Sequence, residues 1–316
     1  MHTVCEMEGN TTTTNRGAAR GALRLGIHTP LQHVTVDRLM SLWTTAEAQG
    51  FDWISVWDHF VPVTPLVAPT PDEATPGNGD NHEAVAMHTA LALATSRVRV
   101  GCLVYNVSYR PPAVIAKSVA TIDHLSQGRA VVGLGAGYLE HEYRKFGFDF
   151  PTAADRSTLL ASSAREIRRL LDEVVRPAPI QARLPIFIGG GGERRTIPTT
   201  AVIADGWNLA MPTLTDFSRK NAALTRHAEA VGRDPATIER TVSLGLCFDE
   251  ESLPVRFGDR WETLRPAILS GSTQQVVDKV AAYVAAGADT IILSLRHPYS
   301  TEEIERFAHE VIGVVS

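Results

Sequence analysis

The sequence predicts an α/β protein, a single-domain (β/α)8 TIM barrel with insertion loops. Short apolar segments rich in β-branched residues alternate with longer segments whose apolar residues follow helical spacing, and eight strand-like segments occur in all. A barrel of this kind takes about 250 residues, so the chain of 316 residues accommodates one barrel and additional loops. Eight units in one chain favour a closed barrel over an open, doubly wound sheet.

The segment at residues 97–147 shows this pattern most clearly. The predicted strand RVRVGCLVY is followed by the predicted helix PPAVIAKSVATIDHL, which begins with two prolines, and then by the strand GRAVVGLGAG, which ends in glycines. Two strands joined by one helix are expected to be parallel, with a right-handed crossover.

The other elements continue the alternation to the end of the chain. The predicted strands are 22–29, 52–58, 97–105, 128–137, 184–190, 205–210, 238–248 and 289–295. The predicted helices are 36–50, 82–96, 111–125, 157–175, one through Ala201, 216–231, 274–286 and 301–314. Gly50 and Gly287 follow the C-terminal ends of two of these helices, where glycine is the favoured cap.

Two Pro-rich stretches, near residues 61–80 and 176–184, interrupt the alternation. Since the alternation resumes after each, we interpret them as insertions rather than domain linkers, and residues 22–316 are predicted to form one barrel domain. Residues 1–21 are predicted to be a disordered N-terminal extension, because their few apolar residues cannot offset the entropic cost of ordering. That extension also lacks the apolar core of a signal peptide.

The composition argues against several classes of protein. A net charge of −5 and a pI of about 6.1 predict no global attraction to nucleic acid or to an anionic membrane. No uninterrupted apolar run is long enough for a transmembrane helix. The three cysteines are widely spaced, which indicates neither a disulfide framework nor a metal site, and we expect a reducing, cytoplasmic location.

Candidate site residues follow from the topology. The active site of a parallel barrel lies at the C-terminal ends of its strands, and the ends of six predicted strands carry unusual residues. These are His28, then Trp57, Asp58 and His59, then Leu103, Val104 and Asn106, then Gly137 and Tyr138, then Gly189, Gly190, Gly191 and Gly192, and finally Met211.

The pair Asp58-His59 is the first catalytic candidate. An imidazole beside a carboxylate can give or take a proton near neutral pH, although a histidine that caps the loop remains an alternative. Adjacent side chains of a strand point to opposite faces, so Asp58 and His59 are not both expected to face the pocket.

The sequence GGGGERRT begins with the four glycines Gly189 to Gly192. Glycines between a strand and a helix leave backbone N–H groups free to approach an anion, with the helix dipole behind them and Arg195 nearby. We therefore predict a phosphate site here, with a tight turn as the alternative. The spacing is not that of a Rossmann dinucleotide motif.

The chain resembles the luciferase-like monooxygenase superfamily, and within it the branch that uses the deazaflavin coenzyme F420. The residues that carry the resemblance are 101–106 (GCLVYN), 110–112 (RPP), 120–123 (ATID), 126–129 (SQGR) and 133–137 (GLGAG). The resemblance extends from about Leu23 to the C-terminus and is weakest at 62–80 and 249–265. It implies hydride transfer between the deazaflavin and a small organic substrate.

The resemblance also implies roles for individual residues. His59 matches a histidine that handles protons beside the reactive carbon of the cofactor, while Asp58 contacts the ring or fixes the loop. A non-prolyl cis peptide bond is implied between Leu103 and Val104, next to the flanking Asn106, and it presses on the middle of the ring. The glycine loop, with Arg195, corresponds to the loop that holds the cofactor phosphate.

Other implied residues line the site. Tyr138 occupies the position of a catalytic glutamate in deazaflavin-dependent dehydrogenases of sugar phosphates, which argues against that reaction and makes Tyr138, beside Gly137, a lining or stacking residue. Glu142 is expected to anchor this turn. His28, Trp57 and Met211 are expected on the substrate side.

Two other readings stay open at this point. The same fold could use reduced FMN and oxygen as a two-component flavin monooxygenase, although the glycine loop and the Asp58-His59 pair favour coenzyme F420. A catalytically inactive barrel that serves as a structural or binding subunit is the non-enzyme alternative, against which the intact strand ends argue. No metal site is predicted, because the remaining histidines lack partners at ligand spacing. The resemblance implies a homodimer, and the sequence names neither the substrate nor the direction of transfer.

Overall fold

The chain folds around a closed, all-parallel β-barrel, as the alternation predicts. The computed structural model describes residues 22–63, 79–297 and 299–315, so the predicted N-terminal extension and most of the first insertion lie outside the described residues. Eight strands close the barrel in the order β1-β2-β3-β4-β5-β6-β7-β9, and β9 pairs back with β1. These strands are Arg24–Thr29 (β1), Trp53–Val56 (β2), Arg99–Asn106 (β3), Ala130–Gly135 (β4), Ile186–Gly189 (β5), Gly206–Ala210 (β6), Glu239–Cys247 (β7) and Thr290–Ser294 (β9).

Helices surround the barrel on its outer side. The α-helices are Val36–Ala48 (α1), Ala84–Ala94 (α2), Pro112–Leu125 (α3), Glu140–Lys145 (α4), Ala153–Arg169 (α5), Thr196–Ile203 (α6), Leu214–Ala230 (α7), Leu253–Phe257 (α8), Trp261–Leu264 (α9), Thr273–Ala285 (α10), Thr301–Phe307 (α11) and Gly313–Val315 (α12). A π-helical turn extends α5 and another follows α11, and four short 3₁₀ turns lie between β6 and β8. No helix among the described residues combines the length and apolarity needed to cross a bilayer.

The amphipathic pattern of the helices explains how they cover the sheet. In α1 the buried residues are Leu39, Leu42, Trp43 and Ala46, which lie on one face at helical spacing. The side chain of Thr35 caps the first turn by accepting a hydrogen bond from the backbone N–H of Arg38. All six residues of β4 are buried, as expected for a strand covered by helices outside and by side chains inside the barrel.

Large side chains fill the barrel interior below the strand ends. Trp53 and Phe187 meet edge-on, with ring centroids 5.0 Å apart, in a buried cluster with Leu103. Neighbouring strands make room for these rings with glycines: a Cβ on Gly206 would lie 2.1 Å from the ring of Phe187. The interior is therefore packed, and any ligand must bind at an end of the barrel.

Two elements differ from the sequence-based expectation. A ninth strand, Ile268–Ser270 (β8), pairs only with the end of β7 and lies outside the closed barrel. It is three residues long, and it follows a run of short helices in the region where the family resemblance is weakest. The helix α4 was not predicted, because its six residues, EHEYRK, are polar and carry no apolar period.

Candidate active site

The C-terminal ends of the barrel strands enclose a cavity of about 490 Å³. Its walls come from the ends of β1 to β6 and β9, from the loops that follow them and from Ser243 inside β7. A larger depression of about 640 Å³ lies at the opposite end of the barrel. Its charged groups pair with one another, for example Glu239 with Arg24 and Arg99 at 2.8 Å each. The cavity at the C-terminal ends is the candidate site, because active sites of parallel barrels form there.

His59 is held in one orientation at the cavity wall. Its Nδ1 lies 3.0 Å from Oε2 of Glu142, while Trp57 and Tyr138 flank the imidazole edge-on, with centroids 5.0 and 5.8 Å away. Because the carboxylate accepts from Nδ1–H, Nε2 is the ring nitrogen left for a ligand, and it has no partner in the described part of the chain. This is the arrangement of a histidine positioned for proton transfer.

Glu142 is almost fully buried and works as the support of His59. Besides His59, its carboxylate accepts from the hydroxyl of Tyr109 at 2.5 Å and from the backbone N–H groups of Phe60 and Val61. Burial raises the pKa of Glu142, but the hydrogen bonds from His59 and Tyr109 outweigh it and hold that pKa below its ordinary value. The carboxylate therefore stays ionised against the imidazole. Sequence analysis expected only a turn anchor here.

Asp58 also contributes to the cavity wall. It follows β2, which ends at Val56. Its carboxylate is occupied by other residues. It forms two bonds with the guanidinium of Arg110, at 2.7 and 3.0 Å, and accepts the backbone N–H of Asn106 at 2.9 Å. This geometry favours fixing the loop over proton transfer.

The end of β3 forms one wall of the cavity. The peptide bond between Leu103 and Val104 is cis, at the position that the family resemblance implied. The side chain of Val104 packs over the ends of β4 and β5, where a Cβ on Gly135 or Gly189 would lie 2.3 or 2.7 Å from it. Gly189, which belongs to the predicted phosphate loop, therefore also makes room for the side chain of Val104.

Hydrogen bonds and close packing around Asn106 and Tyr143 fix the turn after β4. Asn106 donates to the hydroxyl of Tyr143 at 2.8 Å and accepts the backbone N–H of Ser108 at 3.0 Å. Gly137 has a φ of 72°, and a Cβ there would lie 2.0 Å from the Tyr143 hydroxyl, so no other residue fits. Both Asn106 and Gly137 line the cavity.

The structure brings part of the predicted phosphate loop to the cavity. Gly189, Gly190 and Gly191 line it, whereas the chain then turns outward into α6. Gly192 is exposed and its carbonyl accepts the N–H of Ile197, and the guanidinium of Arg195 donates to the carbonyl of Ala154, away from the cavity. Gly192 and Arg195 thus support the turn and the neighbouring helix.

Lys220 provides the positive charge that the sequence had suggested for Arg195. A Cβ on Gly191 would lie 2.6 Å from Nζ of Lys220, which reaches over the loop from α7. Within the described residues, Nζ of Lys220 has no hydrogen-bond or ion-pair partner. No motif marks Lys220 in the sequence, because its approach depends on the packing of α7 beside the loop.

The residues expected on the substrate side also line the cavity: His28, Trp57, Tyr138 and Met211. Nδ1 of His28 lies 2.9 Å from the hydroxyl of Ser55. Burial, together with the positive charges of Arg296 and His59, lowers the pKa of His28 to about 3, so its imidazole is neutral at physiological pH. Tyr138 keeps 63% of its surface exposed at the cavity mouth.

Arg296 is a lining residue that sequence analysis did not identify. It lies two residues beyond the end of β9, which is Ser294. The strand-end rule selects this position, as it selects His28 and His59. Among the described residues, no group of three or more His, Cys, Asp or Glu side chains is arranged to hold a metal ion.

Comparison with known proteins gives the family. Residues 19–253 match the model of the luciferase-like monooxygenase family. The chain belongs to that family. Members of the luciferase-like family are oxidoreductases, and this is the activity class that membership gives to the chain.

The proteins that this chain resembles include some whose names specify coenzyme F420. An F420-dependent glucose-6-phosphate dehydrogenase from Kineococcus radiotolerans is 29% identical over 247 residues, which is 72% of this chain and 69% of that protein. A 5,10-methylenetetrahydromethanopterin reductase from Methanopyrus kandleri is 22% identical over 303 residues, or 87% and 75% of the two chains. The solved structure of an F420-dependent secondary alcohol dehydrogenase with an F420-acetone adduct superimposes with a TM-score of 0.80 at 18% identity, over 94% of this chain and 100% of the other.

Proposed function

We propose that this protein is a coenzyme F420-dependent oxidoreductase that transfers hydride between the deazaflavin and a small organic substrate. The observation that carries the proposal is the His59–Glu142 pair, which leaves Nε2 of His59 in a cavity at the strand ends. The F420-dependent relatives support the choice of cofactor. When bound, the deazaflavin supplies the carbon that accepts or gives the hydride.

The residues of the cavity fit such a cofactor. The Val104 side chain, lying over glycine strand ends, offers an apolar surface against which a flat ring packs. The backbone N–H groups of Gly191 and Gly192 have no acceptor among the described residues, and Nζ of Lys220 is adjacent. Unpaired N–H groups beside a lysine suit a phosphate. The phosphate of the cofactor would lie there, held by Gly191 and Lys220.

His59 would exchange a proton with the substrate at Nε2. As Nε2 takes up a proton, the imidazole becomes a cation, and the ionised carboxylate of Glu142 stabilises that charge from the other side. Asp58 and Arg110 hold the end of β3 in place, so that the wall formed by Val104 keeps its shape. Trp57 and Tyr138 restrict the rotation of the His59 ring.

The proposal is tested by titrating the purified protein with coenzyme F420 and, in parallel, with FMN, while following tryptophan fluorescence. Trp57 lines the cavity, so occupancy is expected to quench it, and a Trp57→Phe variant assigns the signal. We expect F420 to bind at least about tenfold more tightly than FMN. Preference for FMN would assign the chain to the flavin monooxygenases, and binding of neither would favour an inactive barrel.

A lysine variant tests the placement of the phosphate. Lys220→Ala is expected to weaken F420 binding about tenfold, while binding of the deazaflavin ring compound that lacks the phosphate stays the same. Lys117→Ala, which removes an exposed lysine from α3, serves as the matched control. Equal losses for the two ligands would place the phosphate elsewhere.

A further inference from the structure

Arg296 stands out among the charged residues of the cavity because no described residue neutralises it. Of the described residues that line the cavity, only Asp58, Glu142 and Arg296 carry a permanent charge, if the histidines are set aside. Asp58 is paired with Arg110, and Glu142 is bound to His59 and Tyr109. Arg296 has no hydrogen-bond or ion-pair partner among residues 22–63, 79–297 and 299–315.

Three other partly buried arginines have acceptors for their terminal guanidinium nitrogens. Arg110 binds Asp58 with two nitrogens, Arg168 pairs with Asp205, and Arg129 donates to several backbone carbonyls. The guanidinium of Arg296 instead meets the ring face of Phe257, with its Cζ 5.9 Å from the centroid. A guanidinium that is partly removed from water without an anion is costly, so an anionic ligand at this place gains binding energy.

The surroundings of Arg296 favour one negative charge rather than two. His28 lines the same cavity as Arg296, and burial keeps its imidazole neutral. The other neighbours are aromatic: Phe257 below the guanidinium, and Tyr138 and Tyr299 nearby. A phosphate dianion is usually held by several donors or cations, whereas the planar fork of one guanidinium matches a carboxylate with two parallel hydrogen bonds.

We propose that Arg296 binds a carboxylate of the substrate, so that the substrates of this enzyme are small organic acids. The inference rests on the proposed function, because it names the substrate class for the same cavity. The carboxylate forms and breaks no bond. In the oxidation of a hydroxy acid, the carbon-bound hydrogen leaves with two electrons to the deazaflavin, the hydroxyl proton goes to Nε2 of His59, and an oxo acid results.

Arg296, which would bind the substrate carboxylate, and His59, which would exchange the proton, lie in one cavity. His28 lines the same cavity, whose volume is about 490 Å³. A substrate that binds Arg296 through its carboxylate and exchanges a proton with Nε2 of His59 is therefore a short molecule. The glycine loop follows β5 and Arg296 follows β9, which is three strands further around the barrel, so the anion bound by Arg296 is distinct from the cofactor phosphate.

The test compares acids with their neutral counterparts on the protein loaded with coenzyme F420. The probes are 2-hydroxy and 2-oxo carboxylates of increasing chain length, each paired with its primary amide, and binding is followed by tryptophan fluorescence and by thermal shift. We expect at least one acid to bind the wild-type protein about tenfold or more tightly than its amide, since a charge-assisted pair is lost in the amide.

Two variants of Arg296 and one control variant test whether Arg296 causes the preference for acids. In Arg296→Gln the preference for acid over amide is expected to disappear, in Arg296→Lys it is expected to be partly retained, and in Arg165→Gln it is expected to be unchanged. Arg165 is exposed on α5, does not line the cavity, and is the matched loss of one positive charge. Measuring F420 affinity in every variant verifies folding and separates this inference from the cofactor proposal.

Defined results overturn the inference. If acids and amides bind alike, if Arg296→Gln keeps the preference, or if no acid binds the F420-loaded wild-type protein at millimolar concentration, Arg296 is not a carboxylate site. Failure of the wild-type protein to bind F420 would instead reject the proposed function, and that result is read before any acid is added.

Discussion

The two ends of the barrel treat charged residues in opposite ways. At the N-terminal ends of the strands, Glu239 neutralises Arg24 and Arg99, and Asp205 neutralises Arg168 and Arg183. That end holds the larger depression, yet these charged side chains form ion pairs with one another.

At the C-terminal ends, carboxylates hold other groups in place and leave reactive atoms without partners. Glu142 orients His59, and Arg296 and Lys220 have no counterion in the described part of the chain. The size of a cavity is therefore a poorer guide to function than the presence of polar atoms that the fold positions and does not satisfy. Variants at the two ends can break or sharpen this contrast.

The largest effect is expected from His59→Gln. Loss of a positioned acid-base group lowers kcat about 10³-fold, while F420 affinity and thermal stability stay close to those of the wild type, because glutamine fills similar space. The measurement is steady-state turnover of the F420-loaded protein with an organic acid that binds. An unchanged kcat would show that another group exchanges the proton.

The variant Glu142→Gln tests whether the carboxylate charge beside His59 contributes to turnover. It keeps the shape of the side chain but removes the charge that stabilises the imidazolium, so kcat should fall about 10²-fold with little change in KM. A larger fall in affinity than in kcat would mean that Glu142 maintains the cavity rather than His59.

The glycine that supports Val104 can be tested separately. In Gly189→Ala the new Cβ would lie 2.7 Å from Cγ1 of Val104, so the free energy of unfolding should fall by about 1–3 kcal/mol and F420 should bind more weakly. The measurement is chemical denaturation, with Gly313→Ala as the control, since a Cβ there meets nothing within 4 Å. Adding Val104→Ala should recover most of the lost stability. No recovery would contradict the close contact.

The fold was largely predictable because periodicity is local. Each of the eight barrel strands coincides with an apolar segment, and parallel pairing follows from the helices between them. The helix α4 and the strand β8 could not be found in this way. They are six and three residues long, and they are stabilised by the contacts around them rather than by a pattern of their own.

The candidate site was predictable only where topology dictates position. The strand-end rule selects His28 and His59 because backbone connectivity alone brings them to one end of the barrel. Glu142 lines the cavity from α4 and Lys220 reaches the glycine loop from α7, and their approach depends on side-chain packing that spacing does not encode. For the same reason the sequence predicted Arg195 as the cation of the glycine loop, whereas the structure brings Nζ of Lys220 to that loop. Arg296 lies just beyond the end of β9, so the strand-end rule does select its position.

The buried imidazole of His28 predicts a dependence of stability on pH. Its pKa is about 3 in the folded protein against an ordinary value of 6.5, so the unfolded chain binds the extra proton between these values. Stability is therefore fully present above pH 6.5 and falls as the pH drops through this window, by up to about 1.4 kcal/mol per pH unit for one group.

The variant His28→Asn isolates this contribution. It removes the titrating group, so its free energy of unfolding should fall less than that of the wild type between pH 7 and pH 5, by about 1–2 kcal/mol. His88, whose pKa burial lowers to about 4, titrates in both proteins and cancels in the difference. Parallel pH profiles of the two proteins would show that His28 is not buried as a neutral ring.

The smallest effect is expected at the other end of the barrel. Glu239→Gln leaves Arg24 and Arg99 without their shared carboxylate, and since both arginines are about one-third exposed, water replaces part of the lost interaction. The free energy of unfolding should fall by about 1 kcal/mol, while F420 affinity and the preference for acids remain those of the wild type. Denaturation and the ligand titrations measure both quantities on one preparation. A loss of ligand affinity as large as that of Lys220→Ala would mean that the paired charges of the N-terminal end shape the site, and the contrast between the two ends would no longer hold.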